Sequence, residues 1–545
     1  MEIRPAATLA LVRDAEQGLE VLLLQRTWKA AFLPGYFVFP GGAVDANDTA
    51  CQAIMTGIGD LSISQTMSLD EGGADYLIAA VRECFEEAGL LLAVDPQGRV
   101  PERGDAVLAM PRDALNRAEV SFFAFCRDHG LSLPLDRLAY LGHWVTPEGL
   151  PRRFDTRFFV AVAPEGQPVL PDGTEVIDHA WLTPQQALED HRCGRRQLGF
   201  PTRRTLRILA DFDTTDALMR HAHATPPEPS PGPAWPARNG GAKQMIEPDS
   251  PAFEEVRTLD PQARGTASAE IIPGVPVRVA PGVVRLTAPN PGVMTGPGTN
   301  TYLLGDEGEH VVIDPGPADP EHLDRLLEIT GGRISRILVT HTHHDHSPGA
   351  ALLKARTGAV VAGMPPPAGA SQDEAFSPDQ ILANGEIIDT PAGALRVIHT
   401  PGHASNHLCY LLQGQGLLFS GDHVMQGSTV VINPPDGCMA AYLEALDGLM
   451  AEPIDHIVPG HGFLMGNPQA VIDFLITHRL AREHKVARAL SLHGPVGLST
   501  LTRHAYDDVP KARHPVAERS ALAHLLKLEA EGRARRHGDD WCSVT

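Results

Sequence analysis

Short apolar runs bounded by glycine, proline and polar residues recur through both halves of the 545-residue chain. Such runs predict buried strands, and the clearest of them cover residues 7–12, 336–340, 394–400, 417–420 and 456–459. Apolar residues at helical spacing predict helices over residues 203–212, 478–488 and 515–532. Strands and helices therefore alternate, which is typical of α/β and α+β domains.

The pattern is interrupted near residue 225, where prolines and glycines replace apolar side chains. Such a composition cannot build a packed core and is typical of an extended tether. We therefore expect an N-terminal domain over residues 1–222, a Pro/Gly-rich linker over 223–265, a central domain over 266–470 and a small helical module over 471–545. A chain of this length has room for two or three cores.

Composition narrows the class of protein. The net charge is −22 and the pI is about 5.5, a balance that argues against broad non-specific binding of nucleic acid. Residues 471–545 differ, with 12 Lys and Arg against 9 Asp and Glu, so any contact with RNA is expected there and at a local cleft. Seven scattered cysteines without a Cys-x-x-Cys pair argue against disulfides and a structural zinc knuckle.

The start of the chain leads directly into the first predicted strand, and we see no signal-type or membrane-spanning apolar segment. We therefore expect a cytoplasmic protein that has no membrane partner. The pattern leaves the oligomeric state open.

Seven potential metal ligands lie in the second half, at the ends of predicted strands: His341, His343, Asp345, His346, His403, Asp422 and His461. Imidazoles and carboxylates hold divalent ions, and two such ions side by side generate hydroxide at neutral pH. A chance cluster is the alternative, since the chain has 25 histidines. Loops that follow buried strands usually display chemistry, which favours a two-metal hydrolase in which Asp345 and Asp422 orient the nucleophile.

These residues resemble the metallo-β-lactamase superfamily with its His-x-His-x-Asp-His signature, and the resemblance implies an αββα sandwich. It also implies that His341, His343 and His403 hold one metal, that Asp345, His346 and His461 hold the other, and that Asp422 bridges them. A His-rich set with carboxylates suits two zinc ions, with manganese or iron as alternatives. The lack of a cysteine ligand speaks against the lactamases proper.

Three further runs, residues 298–303, 313–316 and 478–533, resemble the β-lactamase-like single-strand endoribonucleases, in which a small winged helix follows the metal domain. That resemblance implies cleavage of phosphodiester bonds in single-stranded RNA. Two other functions are considered. A thioesterase of the glyoxalase II type has a similar ligand set, and a glutathione-binding helical domain instead of a winged helix would favour it. The third possibility is a nucleic-acid-binding regulator with vestigial metal sites.

The first half carries a different signature, in which Glu83, Glu86 and Glu87 are expected on one face of a helix, where their charges repel unless a cation neutralises them. Carboxylates suit Mg²⁺ or Mn²⁺; an ordinary acidic helix face is the alternative. With the upstream glycine turn at Gly41 and Gly42, the run resembles the Nudix hydrolases. This implies an α/β/α sandwich that hydrolyses a nucleotide diphosphate, with Glu86 or Glu87 as a candidate base.

Within the Nudix family, the spacing of Arg26, Gly41 and Gly42 resembles the coenzyme A diphosphatases, particularly those with a long insertion, and implies that these residues bind substrate. Two features depart from that pattern. Ala31 stands where an arginine is expected, and about 26 extra residues follow Gly42, which leaves the first glutamate of the Nudix box without an equivalent. Arg82 is expected to brace the helix by pairing with a carboxylate. A coenzyme A-type small molecule is thus one expected partner of this half.

Overall fold

The computed structural model describes residues 3–30, 33–102, 112–117, 119–146, 153–227, 234–369 and 372–544. Ala31 lies outside these ranges. The chain divides into two compact units, Met1–Ala234 and Trp235–Thr545. Each unit is described by itself.

The first unit contains nine strands and seven helices among the described residues. The strands are β1 (Arg4–Ala15), β2 (Gly18–Arg26), β3 (Phe37–Val38), β4 (Gly41–Ala43), β5 (Met55–Thr56), β6 (Leu133–Pro134), β7 (Ala139–Val145), β8 (Phe154–Val162) and β9 (Val176–Leu182). The helices are α1 (Asp60–Thr66), α2 (Gly73–Ala88), α3 (Arg112–Asn116), α4 (Phe122–Asp128), α5 (Pro184–Arg192), α6 (Phe200–Leu209) and α7 (Thr215–Ala224).

A seven-stranded sheet forms the middle layer of this unit, with strand order β3-β2-β1-β8-β7, β4 beside β1 and β9 beside β2. Alternate residues of β1 and β8 point to opposite faces, as the period of a strand requires. Leu9 and Phe159 pack with the α2 side, whereas Ala10 and Val160 pack with the side that carries α5, α6 and α7. The predicted α/β/α sandwich is confirmed.

The second unit begins with the hairpin β10 (Trp235–Asn239) and β11 (Ala242–Ile246), followed by α8 (Phe253–Leu259). The linker predicted through residue 265 is therefore wrong for residues 235–265. Phe253 and Val256 pack with Phe463 of the central domain, and Glu255 of α8 forms a buried bidentate ion pair with Arg285. Apolar burial and this pair outweigh the local Pro/Gly composition.

Two facing sheets form the central domain. The first has the order β12 (Val277–Ala280), β13 (Val283–Thr287), β14 (Asn300–Leu304), β15 (His310–Ile313), β16 (Ile334–Leu338), β17 (Val360–Gly363) and β18 (Gln380–Ile381). The second has the order β19 (Ile387–Thr390), β20 (Gly393–His399), β21 (Leu408–Leu412), β22 (Leu417–Gly421) and β23 (His456–Pro459). Their apolar inner faces meet in one core, which includes Ile313, Tyr410 and Phe419.

Helices cover both outer faces: α9 (Pro320–Thr330) and α10 (Gly349–Thr357) pack on the first sheet, and α11 (Met439–Met450) and α12 (Pro468–His493) pack on the second. Local sequence helps to start them, since the Asp319 side chain accepts a hydrogen bond from His322 N and Pro320 occupies the first turn of α9. The predicted αββα sandwich is confirmed.

The C-terminal module contains α13 (Leu498–Ala505), α14 (His514–Ala530), β24 (Val496–Gly497), β25 (Ala534–His537) and β26 (Asp540–Ser543). The strands form a small sheet in the order β24-β26-β25, which is the wing of the predicted winged helix. The boundary expected at residue 471 falls inside α12. Since Ile472 and Leu475 pack in the central domain and Val486 and Leu490 pack in the module, this one helix belongs to both. No helix in the described part of the chain is long and apolar enough to cross a membrane.

Candidate metal centres

All seven ligands predicted in the second half lie on four loops, each of which follows a strand. The run from His341 to His346 follows β16, His403 follows β20, Asp422 comes directly after β22 and His461 follows β23. The two sheets bring these loops to one edge of the sandwich. This arrangement agrees with the expectation that the ligands follow the ends of strands.

The ligands form two groups, and the ligand atoms within each group lie within 4.8 Å of one another. The first group is His341, His343 and His403, and the second is Asp345, His346, Asp422 and His461. Asp422 faces both, since its Oδ2 is 3.8 Å from His403 Nε2 and its Oδ1 is 3.2 Å from His461 Nε2. One carboxylate with an oxygen toward each group has the placement of a bridging ligand.

Three buried atoms of the second group test whether the residues fit a metal. His346 Nε2, His461 Nε2 and Asp422 Oδ1 make no hydrogen bond of acceptable geometry among the described residues, although both nitrogens lie 3.2–3.4 Å from Asp422 Oδ1. Buried polar atoms are normally partnered, and imidazole nitrogens and carboxylate oxygens are the donors that zinc prefers in proteins. The donor set therefore fits a divalent metal.

The opposite ring nitrogens of three histidines are held by oxygen atoms. His346 Nδ1 lies 2.8 Å from Asp314 Oδ2, His403 Nδ1 lies 2.8 Å from Val431 O and His461 Nδ1 lies 3.2 Å from Gly298 O. Donation from Nδ1 leaves Nε2 with its lone pair directed at the metal group, which is how metal-binding histidines are usually oriented. His343 differs, since its Nδ1 lies 2.9 Å from both His341 Nε2 and His403 Nε2.

Two supporting residues were missed by the sequence interpretation. Asp314 is buried at the end of β15 and accepts hydrogen bonds from Thr340 N at 2.7 Å and Thr340 Oγ1 at 2.8 Å, besides its contact with His346. His407 accepts a hydrogen bond from Asp422 N at 3.2 Å. Asp314 lies in the run 313–316 that supported the family resemblance. The sequence feature that could have identified it is a carboxylate directly after an apolar strand. No local pattern distinguishes His407 from the other histidines.

The protonation preferences of the two groups differ. Burial lowers the pKa of His343 to about 4 and that of His341 well below its usual range, so these rings are neutral and available as ligands. Burial also acts to lower the pKa of His461, but the Asp422 and Asp345 carboxylates outweigh it and raise the value to about 10. In the metal-free protein the second group is therefore a histidine–carboxylate ion-pair network, and metal binding would displace its protons.

The three glutamates of the first unit lie on α2, as expected, but they do not converge on one point. Arg82 Nη1 donates to Glu83 Oε1 at 2.8 Å and to Glu86 Oε2 at 3.0 Å, whereas Glu87 Oε2 accepts from Gly41 N at 3.0 Å. A Cβ atom on Gly42 would lie 2.4 Å from the Glu83 carboxylate carbon. The glycine turn thus lies directly against this carboxylate cluster, and a side chain at Gly42 would displace it.

Arg82 pairs with carboxylates as expected, and its second partner is one that the sequence interpretation missed. Its Nε donates to Asp48 Oδ1 at 2.8 Å and its Nη2 to Ala43 O at 2.9 Å. Asp48 is buried and lies soon after the glycine turn, within the residues that obscured the Nudix spacing. Arg26 ends β2, and its charge acts on Glu87.

Burial raises the pKa of Glu83 to about 7 and that of Glu87 well above its usual range, and it also raises the pKa of Glu86. Burial, which favours the neutral form of a carboxylate, outweighs the Arg82 guanidinium that acts to lower the pKa of Glu83 and Glu86. A divalent cation would restore the ionised form, so the chemistry of this cluster fits Mg²⁺ or Mn²⁺.

Each compact unit thus has its own fold and its own set of potential metal ligands, the carboxylates of α2 in the first unit and the histidines and aspartates in the second. These features define the class of protein, a multidomain metal-dependent hydrolase. The chain matches three family models, the NUDT19 Nudix domain over residues 64–202, the metallo-beta-lactamase superfamily over 294–461 and the beta-lactamase associated winged helix domain over 498–541. It is 31% identical over 281 residues to the beta-lactamase-like protein 2 homolog of Drosophila melanogaster, an alignment that covers 49% of this chain and 93% of that protein. The chain therefore belongs to the metallo-β-lactamase superfamily and carries a NUDT19-type Nudix domain in its first half.

Other relatives include proteins named as thioesterases. The chain is 35% identical over 217 residues to thioesterase pkgB of Emericella nidulans, which covers 39% of this chain and 59% of that protein. The chain thus spans less than two thirds of that relative. Among solved structures, a beta-lactamase domain protein from Burkholderia ambifaria is 24% identical with a TM-score of 0.45, covering 51% of this chain and 96% of the other. A NUDIX hydrolase from Alicyclobacillus acidocaldarius is 30% identical with a TM-score of 0.34, and the match covers 42% of this chain and 99% of the other.

Proposed function

We propose that this protein is a bifunctional hydrolase whose halves act on related small molecules. The C-terminal half hydrolyses a carboxylic thioester with two zinc ions, and the N-terminal half hydrolyses a nucleotide diphosphate of the coenzyme A type with Mg²⁺ or Mn²⁺. The names of the thioesterase relatives and the Nudix match support this pairing. A coenzyme A thioester contains both bonds.

The observation that carries the thioester assignment is a loop with an apolar tip beside the metal ligands. Val293 is 99% exposed and Met294 is 53% exposed, although large apolar side chains are usually buried. The base of the loop is held by Asn290, whose Oδ1 accepts from Thr299 N at 2.9 Å, and Thr299 Oγ1 in turn donates to Asp345 Oδ2 at 3.3 Å. An apolar tip rooted on a metal ligand suits an acyl chain better than a charged phosphodiester.

The ligands also indicate how the reaction would proceed. When bound, two zinc ions held by these ligands would supply Lewis acidity and lower the pKa of water toward neutrality. Asp345 and Asp422 accept hydrogen bonds from the attacking water and orient it toward the thioester carbonyl carbon. A carbon–oxygen bond forms, the carbon–sulfur bond breaks, and the thiolate takes up the released proton. In the N-terminal half, Glu86 or Glu87 would accept a proton from the water that attacks the diphosphate.

Single-stranded RNA, the substrate that the resemblance to the β-lactamase-like endoribonucleases implies, is our second candidate. The winged-helix match and the exposed Arg535 and Arg536 of the wing favour it. However, α14 contacts α11, α12, α13 and β25, and only one of its exposed residues, Arg519, is basic. A helix that binds nucleic acid usually presents several Lys or Arg side chains to the phosphates, so this helix supports the fold more readily than it supports recognition.

Replacing Val293 and Met294 by serine should raise the KM for a long-chain acyl-coenzyme A by roughly 30-fold, because each apolar side chain contributes about 1 kcal/mol when it covers an acyl chain and about 1.4 kcal/mol corresponds to a factor of ten. The KM for acetyl-coenzyme A should change less than twofold, since its acyl group is too short to reach the tip. Thiol release is measured with zinc-loaded protein, and cleavage of single-stranded RNA is assayed in parallel. The thioester assignment is wrong if RNA is cleaved and no thioester is.

The two activities should be separable by mutation. Changing Glu86 and Glu87 to glutamine removes charges that would hold Mg²⁺ and should abolish coenzyme A diphosphate hydrolysis, while thioester hydrolysis stays near wild type. Changing His341 and His343 to alanine should do the reverse. We infer this because Glu86 and Glu87 lie in the first compact unit, whereas His341 and His343 lie in the second.

Both double variants are assayed on both substrates, with folding checked by circular dichroism. If either folded variant loses both activities, the halves share a channel or an interface, and their proposed independence is wrong.

A further inference from the structure

A buried arginine connects α12 to the loop that supports His403. Arg479 is 3% exposed, and its Nη2 donates to Val430 O. Its guanidinium carbon lies 5.5 Å from the centre of the Tyr442 ring, which belongs to α11. A guanidinium is always charged at neutral pH, and a buried one is costly unless its surroundings compensate it.

The carbonyl of the next residue holds a metal ligand. Val431 O lies 2.8 Å from His403 Nδ1, so Arg479 fixes one carbonyl and His403 uses the adjacent one. Because consecutive peptide units share a backbone with only two soft dihedral angles per residue, holding Val430 O restricts the direction of Val431 O. The orientation of the His403 ring depends on that direction.

Tyr442 also packs against the loop that carries His403. A Cβ atom on Gly402 would lie 2.4 Å from Tyr442 Cα, so the backbone before His403 packs directly on α11. Cys438 N also donates to Gly402 O at 2.8 Å. The His403 loop is thus held between α11 and the segment that Arg479 fixes.

We propose that Arg479 is a positioning residue for the first metal group and sets the Nε2 direction of His403 through Val430 and Val431. The proposal rests on the proposed two-metal centre but not on its substrate. It also gives α12, the helix shared with the winged helix, a role in metal binding. Loss of the guanidinium would leave Val430 O without its buried donor and release the segment that orients His403.

The test uses the full chain, freed of metal and titrated with Co²⁺, whose visible absorption reports the geometry of each site without any substrate. Arg479→Met should weaken binding at the first group on the order of tenfold, the lower range for loss of a supporting contact, and should alter its absorption bands. Binding at the second group should be unchanged. Arg479→Lys should give an intermediate loss, because lysine keeps the charge but not the planar group over Tyr442.

Arg482→Met is the matched control. Arg482 lies three residues further on α12 and donates to Ala505 O at 2.7 Å and Asp508 Oδ1 at 2.8 Å in the C-terminal module. This variant should lose contacts of the same kind yet leave the Co²⁺ titration unchanged. An unchanged titration for folded Arg479→Met and Arg479→Lys overturns the proposal, as does an equal loss in Arg482→Met. A wild-type chain that never takes up a second Co²⁺ overturns the two-metal centre itself.

Discussion

Replacing Asp422 by alanine should reduce the metal content of the C-terminal half from the proposed two ions to one or none, because a bridging carboxylate would compensate the charge of both. Its two oxygens face different ligand groups, at 3.8 Å from His403 Nε2 and 3.2 Å from His461 Nε2. Loss of the bridge should therefore damage the pair of ions and not one site alone, and thioester hydrolysis should fall below detection. Elemental analysis of purified protein measures the metal content.

Two variants make this test specific. Asp422→Asn keeps the shape of the side chain but removes its charge, and it should lose metal nearly as fully as alanine does. Asp389→Ala removes an exposed carboxylate from β19 of the same domain and should retain both ions. Unchanged metal in Asp422→Ala would exclude Asp422 as the bridge.

Replacing Arg285 by methionine should destabilise the second unit by about 3–5 kcal/mol, the usual cost of leaving a buried charge unpaired. Arg285 and Glu255 are 2% and 1% exposed and form two hydrogen bonds of 2.6 and 2.9 Å. The pair joins α8 to β13, and Glu255 Oε2 also accepts from Leu464 N at 2.8 Å. Urea unfolding, followed by hydrogen exchange of α8 and β13, measures the loss.

The double variant Arg285→Met with Glu255→Leu should recover much of this loss, because it removes both buried charges, although Leu464 N then lacks an acceptor. Arg257→Met is the control on the same helix, α8: Arg257 pairs with Glu254 at 2.7 Å, but the two are 54% and 34% exposed, and such pairs contribute about 0–1 kcal/mol. Equal effects of Arg285→Met and Arg257→Met would show that apolar contacts alone hold α8 in place.

Local pattern predicted the elements of the fold well where apolar runs are short and clearly bounded. The strand expected over 456–459 is β23 with those bounds, and the helix expected over 515–532 is α14 over His514–Ala530. The module boundary at 471 could not be predicted, because α12 keeps one helical pattern while its two ends pack in different cores. Composition gave the wrong prediction at 235–265, where a linker was expected. Packing against residues far away in the chain orders this segment, although its composition is typical of a tether.

The sequence by itself determined the candidate metal donors and their places at strand ends, since both follow from residue type and from apolar runs that are recognised locally. It also determined that the two halves carry different chemistry. Only the tertiary structure decided that Asp422 faces both ligand groups, that Asp314 and His407 support them, that Glu87 turns to Gly41 while Arg82 holds Glu83 and Glu86, and that Arg479 reaches the His403 loop. These contacts join residues far apart in the chain, and which atoms meet depends on how the sheets and helices pack around a common core.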